Sequence, residues 1–369
     1  MKVTISRNDI CGHLHLINGE NGPTFCANIE SPNSLPMRTG PARVARLSGW
    51  AVSSSGDPVT VKTRVSPAKG KLRGEWQEST AGLSRPDVLS AINQEDWSRQ
   101  KSDNCGFCVD LILPDGLNKG RVEVEISGAG DSIYFEPFEI VEEAASGRQR
   151  SEYKSVWNSV SDDYELAKLA VAGYTDEDRF VLMADATIGA LTSTVGLKPD
   201  DEVLEIGAGV GRVGPAIAPL VKRWVAADVS ENMLKHARER CRDFDNIEYV
   251  ALSGYDLSSI PDESLDVVYC TVVFMHLDEW DRFGYIQEGM RVLRPGGRMY
   301  VDNVNLCGDE GWNFFMNTRL QYHPLDRPAN ISKTSTAPEL ETYFQRAGFS
   351  EVSVETGSHW IWAWGVKPA

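Results

Sequence analysis

Residues 201–212 read Asp-Glu-Val-Leu-Glu-Ile-Gly-Ala-Gly-Val-Gly-Arg, and this stretch limits the fold more than any other in the 369-residue chain. Val203, Leu204 and Ile206 form a short apolar run of the kind that fills a buried strand, and Gly207, Gly209 and Gly211 follow at every second position. A strand that ends in a glycine-rich turn and passes into a helix opens a doubly wound α/β sheet, whose ligand lies at the carboxyl edge of the strands. The helix is expected to begin near Arg212, with Pro215 in its first turn, where a missing N–H costs little. Glycines in the turn remove Cβ atoms from one side of the backbone, so a ligand can rest on the peptide groups themselves.

Two nucleotide ligands compete for such a turn. A dinucleotide fingerprint requires G-x-G-x-x-G, but Arg212 stands at the third-glycine position and Glu205 ends the strand with an anion. A carboxylate there repels a pyrophosphate and suits a ligand with a cationic amine and no phosphate. Residues 224–228 read as a second strand ending in Asp228, placed to grip two ribose hydroxyls. With these residues the C-terminal half resembles the class I S-adenosylmethionine-dependent methyltransferases. The acid and G-x-G-x-G of that family's first motif match Glu205, Gly207, Gly209 and Gly211, and its ribose acid matches Asp228. Residues 246–251, 265–270 and 292–301 follow as third, fourth and fifth strand segments in the family's order.

The resemblance implies a Rossmann-like, mostly parallel seven-stranded sheet with an antiparallel edge, and S-adenosyl-L-methionine as cofactor. It also implies cofactor contacts from Ala208 and Val229, and an adenine wall from Met233, whose helix Ser230 would cap. Gly254, Asp256 and Leu257 match the loop that reads the adenine edge, with Asp256 accepting from the exocyclic amine; Cys270 and Thr271 are expected along the methionine portion. Methyl transfer from a sulfonium is an in-line displacement, so the protein has to align the acceptor and exclude water. A hydroxyl acceptor also has to lose a proton, and His276, after the fourth strand, is the candidate general base; its alternative is local packing.

Charge narrows the acceptor. Of the net charge of −16, about −12 falls after residue 145. Nucleic-acid substrates need basic patches to neutralise phosphates, and the sequence offers none, so nucleic acid is not an expected partner. The expectation is a small-molecule or saccharide acceptor. No apolar run approaches the 18 residues of a membrane span and no signal peptide is legible, so no membrane partner is expected; the seven cysteines suit a reducing cytoplasm. Oligomeric state is not legible.

Residues 1–143 read as an all-β sandwich. Alternating runs at 44–52, 59–65, 106–113, 120–126 and 133–140 are separated by turn residues. The pattern of Gly49-Trp50, Arg85-Pro86-Asp87-Val88 and Gly106-Phe107 is similar to small β-sandwich modules beside transferase domains in bacterial glycan-assembly proteins. Such a domain is structural, or binds a saccharide or protein on platforms such as Trp50, Trp76 or Trp97, which otherwise fill the core. Cys105 and Cys108 lack the partner pair of a zinc ribbon, and no metal is assigned to them or to His13 and His15.

A charged, glycine-containing linker around 142–150 leads to the methyltransferase-like domain at 144–369. Residues 151–195 are expected to form a helical lid, broken at 161–163, that brings Tyr153 and Trp157 towards the acceptor. Residues 304–335 are expected to wall the acceptor site, with Trp312 and Arg327 as candidate substrate contacts. Acids at 278–281 complement a helix dipole; Asp278 with Asp302 and Asn303 forms a minor alternative as metal ligands, and no metal is assigned. The sequence therefore points to methyl transfer, with oxygen as the expected acceptor atom. A non-catalytic cofactor- or partner-binding module and an NAD(P)-dependent oxidoreductase are the alternatives.

Overall fold

A computed structural model describes residues 2–19, 22–31, 35–39, 43–68, 74–85, 88, 90, 104–114, 116–128, 130–142 and 150–369. Trp97, Pro86, Asp87 and the linker residues 143–149 lie outside them. The chain divides into two compact units, Met1–Ser146 with Asn317–Arg327, and Gly147–Met316 with Pro328–Ala369.

The first unit contains two sheets. One runs in the order β1 (Lys2–Ile5), β10 (Asp131–Glu142), β9 (Lys119–Gly128), β6 (Thr60–Pro67), β7 (Gln77–Thr80), with β4 (Met37–Thr39) also on β10. The other runs β2 (His15–Gly19), β3 (Gly22–Ser31), β5 (Val44–Ser53), β8 (Gly106–Ile112). Alternation places Phe25, Ala27, Leu47, Phe107 and Val109 of the second sheet in one core with Val122, Val124, Ile126, Ile133 and Phe135 of the first. Trp50 is buried, and the Arg64 guanidinium lies 4.5 Å above the ring of Trp76, covering one of its faces. Neither Cys105 nor Cys108 is in a disulfide, and His15 is buried.

The second unit is a doubly wound sheet in the order β13 (Ile247–Ala251), β12 (Arg223–Asp228), β11 (Glu202–Ile206), β14 (Leu265–Cys270), β15 (Leu293–Asn305), β18 (Trp360–Val366), β17 (Ser350–Thr356), with two-residue β16 (Thr334–Ser335) beside the end of β15. The first five are parallel, and β18 and β17 close the edge antiparallel. Strands buried on both faces feed two apolar layers: Leu204 and Ile206 enter one core, Val203 the other.

Local signals set the helices. Asp163 caps α2 (Tyr164–Ala172), accepting from the N–H groups of Glu165 and Leu166, and so ends α1 (Tyr153–Ser159) as a separate element. Asp176 caps α3 (Glu177–Thr194). The helix after the glycine turn, α4 (Gly214–Ile217), starts later than Arg212 because the backbone is still turning at Gly211. A Cβ on Gly211 would lie 3.1 Å from the Cα of Ala237 on α5 (Glu231–Arg240), so the turn is pressed against that helix. Ser230 caps α5 through the Met233 N–H, and α6 (Glu279–Val292) precedes β15. Residues 304–335, expected as a wall, contain α7 (Asp309–Gln321), which is divided between the two compact units. A capping box of Thr336 and Glu339 opens α8 (Ala337–Ala347), and Gly348 ends it at φ 97°.

Candidate active site

A cleft of about 810 Å³, counting its open mouth, lies at the carboxyl edge of β11, β12 and β14. Its floor is the glycine turn. Gly207 has φ 78°, and a Cβ there would stand 2.3 Å from the Val273 side chain, so the turn packs against the loop after β14 as closely as it faces the cleft.

Acids on neighbouring strands surround this floor. Asp228 ends β12 and accepts hydrogen bonds from the N–H groups of Gly209 (2.9 Å) and Ser230 (2.8 Å); burial still pushes its carboxyl up to about 6. Glu205 accepts from the Tyr269 hydroxyl at 2.7 Å, and that oxygen in turn accepts from the Trp224 indole at 3.2 Å. Burial pushes Glu205 up to about 7, against the opposing pull of Tyr269 and of the Arg212 guanidinium, which also lines the cleft. Asp302, on β15, is likewise pushed up to about 7 by burial; it accepts from the Val272 N–H at 2.6 Å. Val272 sits at φ 61°, an outlier for a β-branched residue worth about 1–3 kcal/mol of strain, and it lines the cleft.

The opposite wall comes from α1, α2 and the loop after β14. Asn158 on α1 accepts from the Ser230 hydroxyl (2.9 Å) and the Glu231 N–H (3.1 Å), fastening the helix to the N-terminus of α5. This leaves Tyr153 and Trp157 on the cleft wall, joined by Val171 of α2 and Tyr285 of α6. His276 shares a bond of 2.8 Å between its Nδ1 and the Asn330 carbonyl, so that nitrogen carries the proton and Nε2 is the free lone pair. Burial pushes its pKa down to about 4, so the ring is neutral. Its ring meets Trp157 edge to face, centroids 4.9 Å apart. Arg282 steadies the turn that carries His276, donating from Nε to the Phe274 carbonyl (2.9 Å) and from Nη1 to Ser335 and Glu339.

Trp157 Nε1 and Thr271 Oγ1 are buried polar atoms without a hydrogen bond, in residues on the cleft wall. The indole N–H acts on the Tyr153 hydroxyl without closing a bond of ordinary geometry. Each such group left unmatched costs about 1–3 kcal/mol.

Of the residues singled out in the sequence, Glu205, Gly207, Ala208, Gly209, Asp228, Val229, Met233, Gly254, Thr271, His276, Tyr153 and Trp157 lie together on the cleft wall. Five do not. The Asp256 carboxylate accepts from the hydroxyls of Ser253 (2.6 Å) and Ser258 (2.9 Å), which close it into its own turn and hold it below the usual carboxylate range. Leu257 and Cys270 are core residues. Trp312 is half exposed and stacks on Phe315, and Arg327 is exposed in the segment that belongs to the first unit. The cleft also includes Arg212, Leu252, Val272, Val273, Leu277 and Tyr285, which sequence reasoning did not place there. Arg212 alone had a local signal, its position directly after the third glycine.

Residues 204–301 match the family model described as a methyltransferase domain. The matched segment is a methyltransferase domain. Its cofactor is S-adenosylmethionine. The demethylmenaquinone methyltransferase of Tropheryma whipplei is 30% identical over 155 residues, 42% of this chain and 60% of that one. A Mycolicibacterium smegmatis protein named "Probable S-adenosylmethionine-dependent methyltransferase" is 34% identical over 151 residues, 40% of this chain and 51% of that one. A ubiquinone/menaquinone biosynthesis C-methyltransferase of Vibrio campbellii is 26% identical over 159 residues, 39% of this chain and 60% of that one. The match thus spans between half and three-fifths of the length of these curated relatives.

Proposed function

We propose that the chain is an S-adenosylmethionine-dependent methyltransferase acting on a small molecule held beside His276. The observation that carries this reading is a single cleft in which the glycine turn, Asp228 and His276 meet. When bound, the cofactor supplies a methyl group on a sulfonium that leaves as a neutral thioether.

The residues present fit that group. Asp228, already oriented by two backbone N–H groups, keeps lone pairs for ribose hydroxyls, and Val229, Met233, Leu252 and Gly254 give the adenine an apolar slot. Glu205, whose ionised form burial disfavours, regains its charge beside a ligand ammonium. His276, held neutral with Nε2 free, accepts the proton of an acceptor hydroxyl, while Tyr153, Trp157 and Tyr285 exclude water. Oxygen is the acceptor atom that a base of this kind serves most directly. Carbon is a second reading, favoured by the relatives named for C-methylation.

Calorimetric titration with S-adenosylhomocysteine, followed by labelled-methyl transfer to a small-molecule panel, tests the proposal. Binding in the micromolar range and label in a product are expected. A chain that ignores S-adenosylhomocysteine but responds to NADPH would overturn it.

A further inference from the structure

We infer that Arg150 is a positioning residue of the cofactor site, clasping Tyr153 and the Gly254 turn to α6 and so pre-forming the slot for the adenine end of S-adenosylmethionine. The inference rests on the methyltransferase reading and adds a residue that lies before the matched segment.

One planar side chain touches three elements at once. Arg150 donates from Nε to the Asp281 carboxylate on α6 at 2.7 Å and from Nη2 to the Gly254 carbonyl at 2.5 Å, and its guanidinium carbon lies 4.3 Å from the centroid of the Tyr153 ring. Asp281 sits in the first turn of α6, one turn before Tyr285, so the clasp holds the helix beside the residue by which it enters the cleft. An isolated surface ion pair contributes little. The rigid fork of an arginine, however, loses little freedom per bond formed, and the ring face adds a cation–π contact. A lysine here would keep the charge and lose the fork.

The groups that Arg150 holds are cleft wall. Tyr153 and Gly254 line the cleft together with Val229, Met233 and Leu252. They also pack against one another: Gly254 stands at φ 100°, and a Cβ there would lie 3.2 Å from the Val229 side chain and 3.7 Å from that of Tyr153, so the turn is seated between the two. The far end of the same loop is held to α6 independently, Leu257 donating its N–H to Glu288 at 3.0 Å and accepting from Arg291 at 2.8 Å. Arg150 holds the near end. A flat base entering this slot meets walls already in place. Without the clasp, binding would also have to order Tyr153 and the turn, and affinity would fall by that cost.

The test titrates the full-length chain by calorimetry with S-adenosylhomocysteine and with 5′-methylthioadenosine, which keeps the adenosine and lacks the amino acid. Arg150→Met keeps the stem and removes the donors, and is expected to weaken both ligands by the same factor, ~10-fold. Arg150→Lys is expected to recover to within ~3-fold of wild type. Lys154→Met breaks a neighbouring 3.7 Å pair between α1 and Glu231, and is expected to change neither affinity by more than ~2-fold. Asp281→Asn is expected to cost ~3-fold, and to cost nothing further when added to Arg150→Met. Arg150→Met affinities within ~2-fold of wild type, a loss confined to S-adenosylhomocysteine, an equal loss in Lys154→Met, or a wild-type chain that binds S-adenosylhomocysteine but not 5′-methylthioadenosine overturns the inference. Should Arg150→Met fail to fold, unchanged affinity in Asp281→Asn overturns it. A wild-type chain that binds neither ligand is a separate result: it removes the methyltransferase reading itself, and the inference with it.

Discussion

Glu205 shows how a single buried group sets the behaviour of the cleft. Its carboxyl is pushed from 4.5 up to about 7, so the folded chain holds the proton more tightly than the unfolded one. Stability from this group is therefore intact below about pH 4.5 and declines as pH rises to about 7, a loss of about 3 kcal/mol at pH 8. Glu205→Gln keeps an acceptor for Tyr269 and removes the charge. In the cofactor-free protein it is expected to raise the melting temperature at pH 8, leave it unchanged at pH 4, and weaken S-adenosylhomocysteine binding. Equal shifts at both pH values in scanning calorimetry would count against this account. His276 has the opposite sign: its folded pKa lies near 4 against an ordinary 6.5, so its contribution is lost as pH falls through that window. His276→Ala is expected to lower methyl turnover by about 10²–10⁴ with cofactor affinity retained; near-normal turnover would remove the base assignment.

At the scale of elements, the parts legible in the sequence are those dictated by backbone constraint. Strand β11 is apolar and short, and Gly207, Gly209 and Gly211 all stand at positive φ, so the turn could be read from residue types alone. The cap at Ser230 and the helix break at 161–163 were legible from residue types as well. Tyr285 and Val171 were not, because an aromatic or valine on an amphipathic helix gives no sign of whether its neighbour is core or cleft. Asp256 went to a local turn because Ser253 and Ser258 lie within reach of its carboxylate, a competition that a motif match does not register. The first strands of the sandwich, β1 to β4, lacked the alternating runs that marked β5 and β6. Two substitutions probe the turn and a cap. Gly207→Ala should be strongly destabilising, since it combines strain at φ 78° with a 2.3 Å approach to Val273. Adding Val273→Ala should recover part of the lost melting temperature, and no recovery would locate the cost in the backbone alone. Asp163→Ala should cost about 1 kcal/mol in urea unfolding by freeing two N–H groups at the start of α2.

For the molecule as a whole, the segment Asn317–Arg327 belongs to the first compact unit although it lies far along the chain. Arg46 on β5 binds it, with Nη1 donating to the carbonyls of Arg319 and Tyr322 (both 3.2 Å) while Nε pairs with Asp110 at 2.8 Å. The Cys108 thiol reaches the Leu320 carbonyl at 3.9 Å, and His323 lies 3.5 Å from Asp110. Arg46→Ala should therefore release the segment, and trypsin should cut after Arg319 faster than in the parent under native conditions. An unchanged cleavage rate would mean that Arg46 does not hold it. The same return of the chain has a consequence for gene construction. A module that occupies one unbroken interval can be transplanted by a single fusion junction, but this N-terminal half cannot, because a short strip of its substance is encoded late in the reading frame. A chimera that swaps only the first 146 codons would leave that strip facing a foreign surface.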